Sequence, residues 1–186
     1  MNTVGFTTTV PLEILHAAGK VPVDLNNRFI THPDLKGLLR KAERDGFPRN
    51  VCSWIKGIYA VALELEIDEV IAVTQGDCSN TQALMETLQW KGVKTIPFFY
   101  PYDRDPQFLT LGMEKLMRHF SVTGGQCLEA KAELDAVRRK VHRIDEMTWK
   151  ENTVTGRENH YFQVSTSDMN GDWAAVEAEV ERFLTS

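Results

Sequence analysis

The 186-residue chain carries 21 Lys and Arg against 26 Asp and Glu, a formal net charge of −5, and 42% of its residues are hydrophobic. That length and apolar content suit one ordinary domain with a core of its own and argue against disorder. An acidic balance with no clustered basic face argues against a nucleic-acid footprint. No apolar run nears the roughly eighteen residues that span a bilayer, and the N-terminus lacks the basic and apolar segments of a signal peptide, so a cytoplasmic protein away from membranes is expected.

In chain order, the β-branched run Thr3 to Val10 predicts a first strand. Pro11 suits the first turn of a helix that holds Leu12, Ile14 and Leu15 and stops at Gly19. Val21 to Leu25 reads as a second strand, and Pro22 places it at a sheet edge because proline cannot donate to a ladder. His32-Pro33-Asp34 opens a helix ending at Gly46-Phe47-Pro48. From Cys52 to Glu66, Ile55, Ile58, Tyr59, Ala62 and Leu65 keep helical spacing on one wide apolar face.

Asp68 to Thr74 is the most strand-like run, followed by the Gly76-Asp77 turn, Cys78, and a helix from Asn80 to Gly92. Val93 to Tyr100 predicts a fourth strand, in which Pro97 removes one ladder bond. Strands alternating with helices of this length predict an α/β fold: a parallel four-stranded Rossmann-like sheet with flanking helices. The loops after the first and third strands then share the carboxyl edge, where such sheets bind ligands. Beyond Pro101, Phe108 to Phe120 and the near-heptad Leu134, Val137, Val141 and Ile144 predict helices, as do Thr155 to Val164 and Trp173 to Leu184. The expected organisation is an α/β unit over residues 1–104, bearing cysteine loops, with a helical extension over 105–186 packed on it.

Three cysteines, none in a close CxxC, support neither a disulfide framework nor a zinc ribbon. Cys52 and Cys78 each open a helix, where the helix dipole favours a thiolate, and both are expected to face one pocket. They read either as free thiols or as ligands of a soft metal or cluster. Cys127, after Gly124-Gly125-Gln126, reads as a helix-start residue rather than a ligand, with ligation as the alternative. Gly76 to Thr81 reads either as an anion-binding turn or as Ser79 or Asn80 capping a helix; the glycine and lysine spacing of a P-loop is absent. His16 and Glu13 share a helix face, as a conceivable acid–base pair or as solvated side chains. Arg138-Arg139-Lys140, interleaved with acids, reads as a solvated helix face.

Thr8-Thr9-Val10-Pro11-Leu12-Glu13-Ile14, Ala17-Ala18-Gly19-Lys20-Val21-Pro22, Cys52-Ser53 and Asp77-Cys78-Ser79 resemble the N-terminal half of subunits of the 2-hydroxyacyl-CoA dehydratases and related benzoyl-CoA reductases. The likeness continues through Pro97 to Pro101 and Thr155-Gly156-Arg157-Glu158, so it covers most of the chain. It implies a [4Fe-4S] cluster with Cys52 and Cys78 as two of three cysteine ligands, an ATP-dependent activator that injects an electron, and reductive radical dehydration of a 2-hydroxyacyl thioester. The acyl-CoA is then expected near Thr8, Thr9, Ser79 and Asn80, with Glu13 handling protons. Family subunits continue into a second domain that supplies the third cysteine. The chain is thus expected to work as a homo-oligomer or with a second dehydratase-type chain; the other readings are a non-catalytic binding or assembly protein and a small redox carrier whose cluster bridges two chains.

Overall fold

In the computed structural model, which describes residues 2–185, β1 (Thr3–Phe6), β2 (Val21–Asp24), β3 (Glu69–Gln75) and β4 (Lys94–Phe99) form one sheet in the order β2-β1-β3-β4. Every pairing is parallel, which requires crossovers between neighbours. The α/β class expected from the sequence is the one found. Both strand prolines lie on edge strands, Pro22 on β2 and Pro97 on β4, where a missing N–H breaks fewer ladder bonds. β1 is shorter than its β-branched run, because beyond Phe6 a side chain takes over the ladder: the Thr7 hydroxyl accepts the Val73 N–H at 3.1 Å.

The crossovers are α1 (Leu12–Ala17) between β1 and β2, α2 (Leu25–Ile30), α3 (Leu35–Arg44) and α4 (Ser53–Glu64) between β2 and β3, and α5 (Thr81–Trp90) between β3 and β4. Next come α6 (Pro106–Phe120), α7 (Gly124–Trp149), α8 (Gly156–Ser165), a short 3-10 turn at Met169–Gly171, and α9 (Trp173–Thr185). Strand side chains alternate between faces, and two cores result. Val4, Phe6, Ile71, Val73, Ile96 and Phe98 pack with α1 and the α6–α9 helices. On the other face Val23 and Val70 pack with α2 to α5.

Local chemistry sets the helix ends. Asp105 accepts the Gln107 N–H at the start of α6, where Pro106 supplies the first helical residue. Thr123 with Gln126 and Thr155 with Glu158 form capping boxes on α7 and α8. The sequence reading missed α2: six residues with Leu25 and Phe29 as its buried positions give too short a period, although Asp24 caps it by accepting from Asn26 and Asn27. Leu65, expected on the apolar face of α4, stands at the helix C-cap and is 46% exposed.

The basic run on α7 is not a purely solvated face. Arg138 donates to Glu13 on α1 at 2.6 Å and to Asp135 at 2.9 Å, and Lys140 donates to Glu177 on α9 at 2.6 Å. These bonds stitch α7 to its neighbours.

Gly57 lets α4 pack directly on Phe29 of α2. A Cβ there would lie 2.2 Å from the buried Phe29 ring, so Gly57→Ala is expected to destabilise by about 1–3 kcal/mol through overpacking. That outweighs alanine's helix propensity, worth about 1 kcal/mol. A lower urea midpoint checks it, and a raised midpoint would contradict this packing.

Candidate functional site

From β1 the chain passes outward to β2, then returns to lay β3 against the opposite side of β1. Loops leaving the carboxyl ends of β1 and β3 therefore diverge and leave a crevice between them. These loops are residues 7–11 and 76–80. Because the C-terminal end of α4 feeds the start of β3, the N-terminus of α4 returns to the same edge and brings Cys52 there.

Cys52 is the N-cap residue of α4 and is exposed; Cys78 is half-buried against the α2–α5 core. Val51, Ile55 and Asn80 line a cavity of about 320 Å3 between α4 and α5, but neither Cys52 nor Cys78 lines it, so the two thiols do not face this pocket as the sequence suggested. The loop that delivers Cys52 is tied down. Lys56, almost wholly buried, donates to Glu43 at 2.8 Å and to the Arg49 carbonyl at 3.2 Å. Tyr59 donates to Asp45 at 2.8 Å, and burial holds its hydroxyl well above the ordinary tyrosine range. Trp54 donates to Asn26 at 2.6 Å, and the Asn26 amide donates to the Thr7 carbonyl at 2.9 Å. One amide side chain thus couples the Cys52 helix to the end of β1.

At the start of α5, Asn80 occupies the N-cap position but its side chain makes no cap; its Nδ2 instead points to Cys78 Sγ at 3.8 Å. Ser79 is exposed. Thr81 is fully buried, and its hydroxyl has no hydrogen-bond partner among the described residues, an arrangement that costs roughly 1–3 kcal/mol. On the other loop, Thr8 is half-buried and Thr9 exposed. The Thr9 carbonyl accepts from Tyr100 at 2.8 Å, and burial raises the Tyr100 pKa.

Sequence reasoning named Cys52, Cys78, Ser79, Asn80, Thr8 and Thr9, and all six lie along this edge. Glu13 faces α7 in its ion pair with Arg138. His16 does not pair with Glu13; it donates to Glu133 at 2.7 Å and meets the Trp173 ring edge-on. Cys127 packs on the opposite face of the sheet from Cys78. Asn26, Trp54 and Tyr100 were missed. Only Asp24-Leu25-Asn26, a capping pattern, carried a local signal for any of them.

A four-stranded parallel sheet with helices on both faces defines an α/β protein with polar loops and two thiols at its carboxyl edge. Residues 7–185 match the family described as 2-hydroxyglutaryl-CoA dehydratase, D-component, and the chain belongs to that family. The match runs through α6 to α9 as well as the sheet, so the chain is a 2-hydroxyacyl-CoA dehydratase-type component. The family is named for one component of a dehydratase, which implies a partner subunit. No individually curated protein matches the chain. Among the described residues, no helix is long and apolar enough to cross a membrane.

Cysteine thiolates hold iron–sulfur cubanes, usually four of them. This edge offers two, and no group of three or more His, Cys, Asp or Glu among the described residues is arranged to hold a metal. The orphaned Thr81 hydroxyl beside Cys78 is a donor of the kind that cluster sulfurs accept. Even so, one chain alone does not fit the cluster.

Proposed function

We propose that this chain is a cytoplasmic component of a 2-hydroxyacyl-CoA dehydratase-type lyase and contributes half of a cluster site, Cys52 and Cys78, that a second chain completes. The observation that supports this is the return of Cys52, the N-cap of α4, and Cys78, in the turn that leads into α5, to one edge of the sheet. The second chain is another dehydratase-type subunit or a second copy. An ATP-dependent activator would supply the electron. An acyl-CoA thioester would lie across the loops bearing Thr8, Thr9, Ser79 and Asn80, with Glu13 nearby.

The test is anaerobic reconstitution with iron and sulfide, read as iron and acid-labile sulfide per chain together with mass in solution. Wild type is expected to take up iron only as an assembly of two or more chains. Cys52→Ser and Cys78→Ser are each expected to lose most of that iron while nearly keeping their unfolding midpoints, because Cys52 is exposed, Cys78 is only half-buried and serine is close to cysteine in size. Iron uptake by a monomer, or by both variants, would sink the proposal.

A further inference from the structure

A second cavity, of about 450 Å3, runs along α1 between α6 and α7, within the roughly 300–1,000 Å3 range of small-molecule pockets. Pro11, which joins the carboxyl-edge loop to α1, stands at one end, and Gly124, the first residue of α7, also lines it. Its walls are apolar: Ile14, Met113, Met117, Cys127 and Leu128. The polar residues that line it are Glu13 and Lys131. Each is already paired, Glu13 with Arg138 at 2.6 Å and Lys131 with Asp135, while Arg138 also holds Asp135.

Resting on the dehydratase-type reading, we propose that this cavity takes the acyl chain of the thioester and selects an apolar acyl group over a dicarboxylic one such as glutaryl. An extended aliphatic or aromatic chain entering beside Pro11 buries apolar surface against methionines, which adapt readily to ligand shape. A distal carboxylate would enter among apolar walls and meet the Glu13 charge, while Arg138 and Lys131 already face Glu13 and Asp135. The thiol in the wall fits the same picture: burial first, and then the Glu13 charge, push the Cys127 pKa up, so it stays a neutral apolar group.

The experiment follows alkylation of Cys127 in the full chain by peptide mass mapping, with octanoyl-CoA, glutaryl-CoA, CoA and octanoate as probes. Octanoyl-CoA at ten times its Kd is expected to slow alkylation about tenfold, because only the free fraction reacts. Glutaryl-CoA and CoA are expected to leave the rate unchanged. Equal protection by glutaryl-CoA, protection by octanoate but not by octanoyl-CoA, or no protection by any probe overturns the assignment. Leu128→Glu, at a residue 69% exposed, leaves the core intact and is expected to abolish protection; Met113→Glu provides a second variant. Protection that persists in both also overturns it. The cluster proposal is read separately, from iron bound at Cys52 and Cys78, so either can fail alone.

Discussion

Gly76→Ala is expected to destabilise the chain by roughly 2–6 kcal/mol and to disturb the loop that carries Cys78. Two costs combine. Gly76 has φ +84°, a conformation that costs a side-chain-bearing residue about 1–3 kcal/mol. An added Cβ would also lie 2.7 Å from Tyr100 Cβ and 2.9 Å from the Tyr100 carbonyl oxygen, and such overpacking costs about 1–3 kcal/mol. Backbone cannot yield as a flexible side chain can, and Tyr100 is held on both sides, by the Gln75 carbonyl through its N–H and by Thr9 through its hydroxyl. Relief must therefore come from the turn itself. Gly92→Ala is the matched control, since Gly92 has φ +87° with nothing within 4 Å of its added Cβ, so only the backbone term applies. Urea unfolding of both variants checks the difference, and equal midpoints would remove the packing argument.

Asp168→Ala is expected to cost about 2–6 kcal/mol, because the 2% exposed carboxylate serves two backbone donors with separate oxygens. Oδ2 accepts the Asp24 N–H at 2.9 Å and Oδ1 accepts the Asn170 N–H at 2.9 Å. Removing both acceptors leaves donors unsatisfied in or near the interior, at roughly 1–3 kcal/mol each. The cost depends on pH. Burial, with the Asp24 charge adding to it, raises the Asp168 pKa above its ordinary 3.8 despite the two N–H donors. The folded chain therefore holds this proton to higher pH than the unfolded chain does. By linkage, the stabilisation from protonation is fully present below 3.8 and is lost as pH rises through the folded pKa. The midpoint gap between wild type and Asp168→Ala should widen as pH falls from neutral toward 3.8. A gap that narrows on acidification would show the carboxylate to be net stabilised by its donors.

The two variants probe opposite ends of the site's support. Gly76 sets where the β3 loop emerges; Asp168 ties the segment before α9 to Asp24, the cap of α2, whose neighbour Asn26 holds Trp54 and hence the Cys52 helix.

By itself the sequence determined the features that depend on neighbours a few residues away. Apolar spacing marked α4, α7 and α9; Pro22 and Pro97 marked edge strands; and the alternation of strands and helices implied parallel pairing, which brings Cys52 and Cys78 to one edge because a helix that feeds a parallel strand starts at that sheet's carboxyl edge and the turn after β3 leaves from it. Only the tertiary structure decided the strand order, the Glu13–Arg138 pair across 125 residues, the Asp168 bond to β2 across 144, and the cavity beside Pro11. These depend on which faces of separate elements meet, and local periodicity carries no record of that. The same limit applied to Cys127: its helix was legible, but its side of the sheet was set by α7 packing on α1.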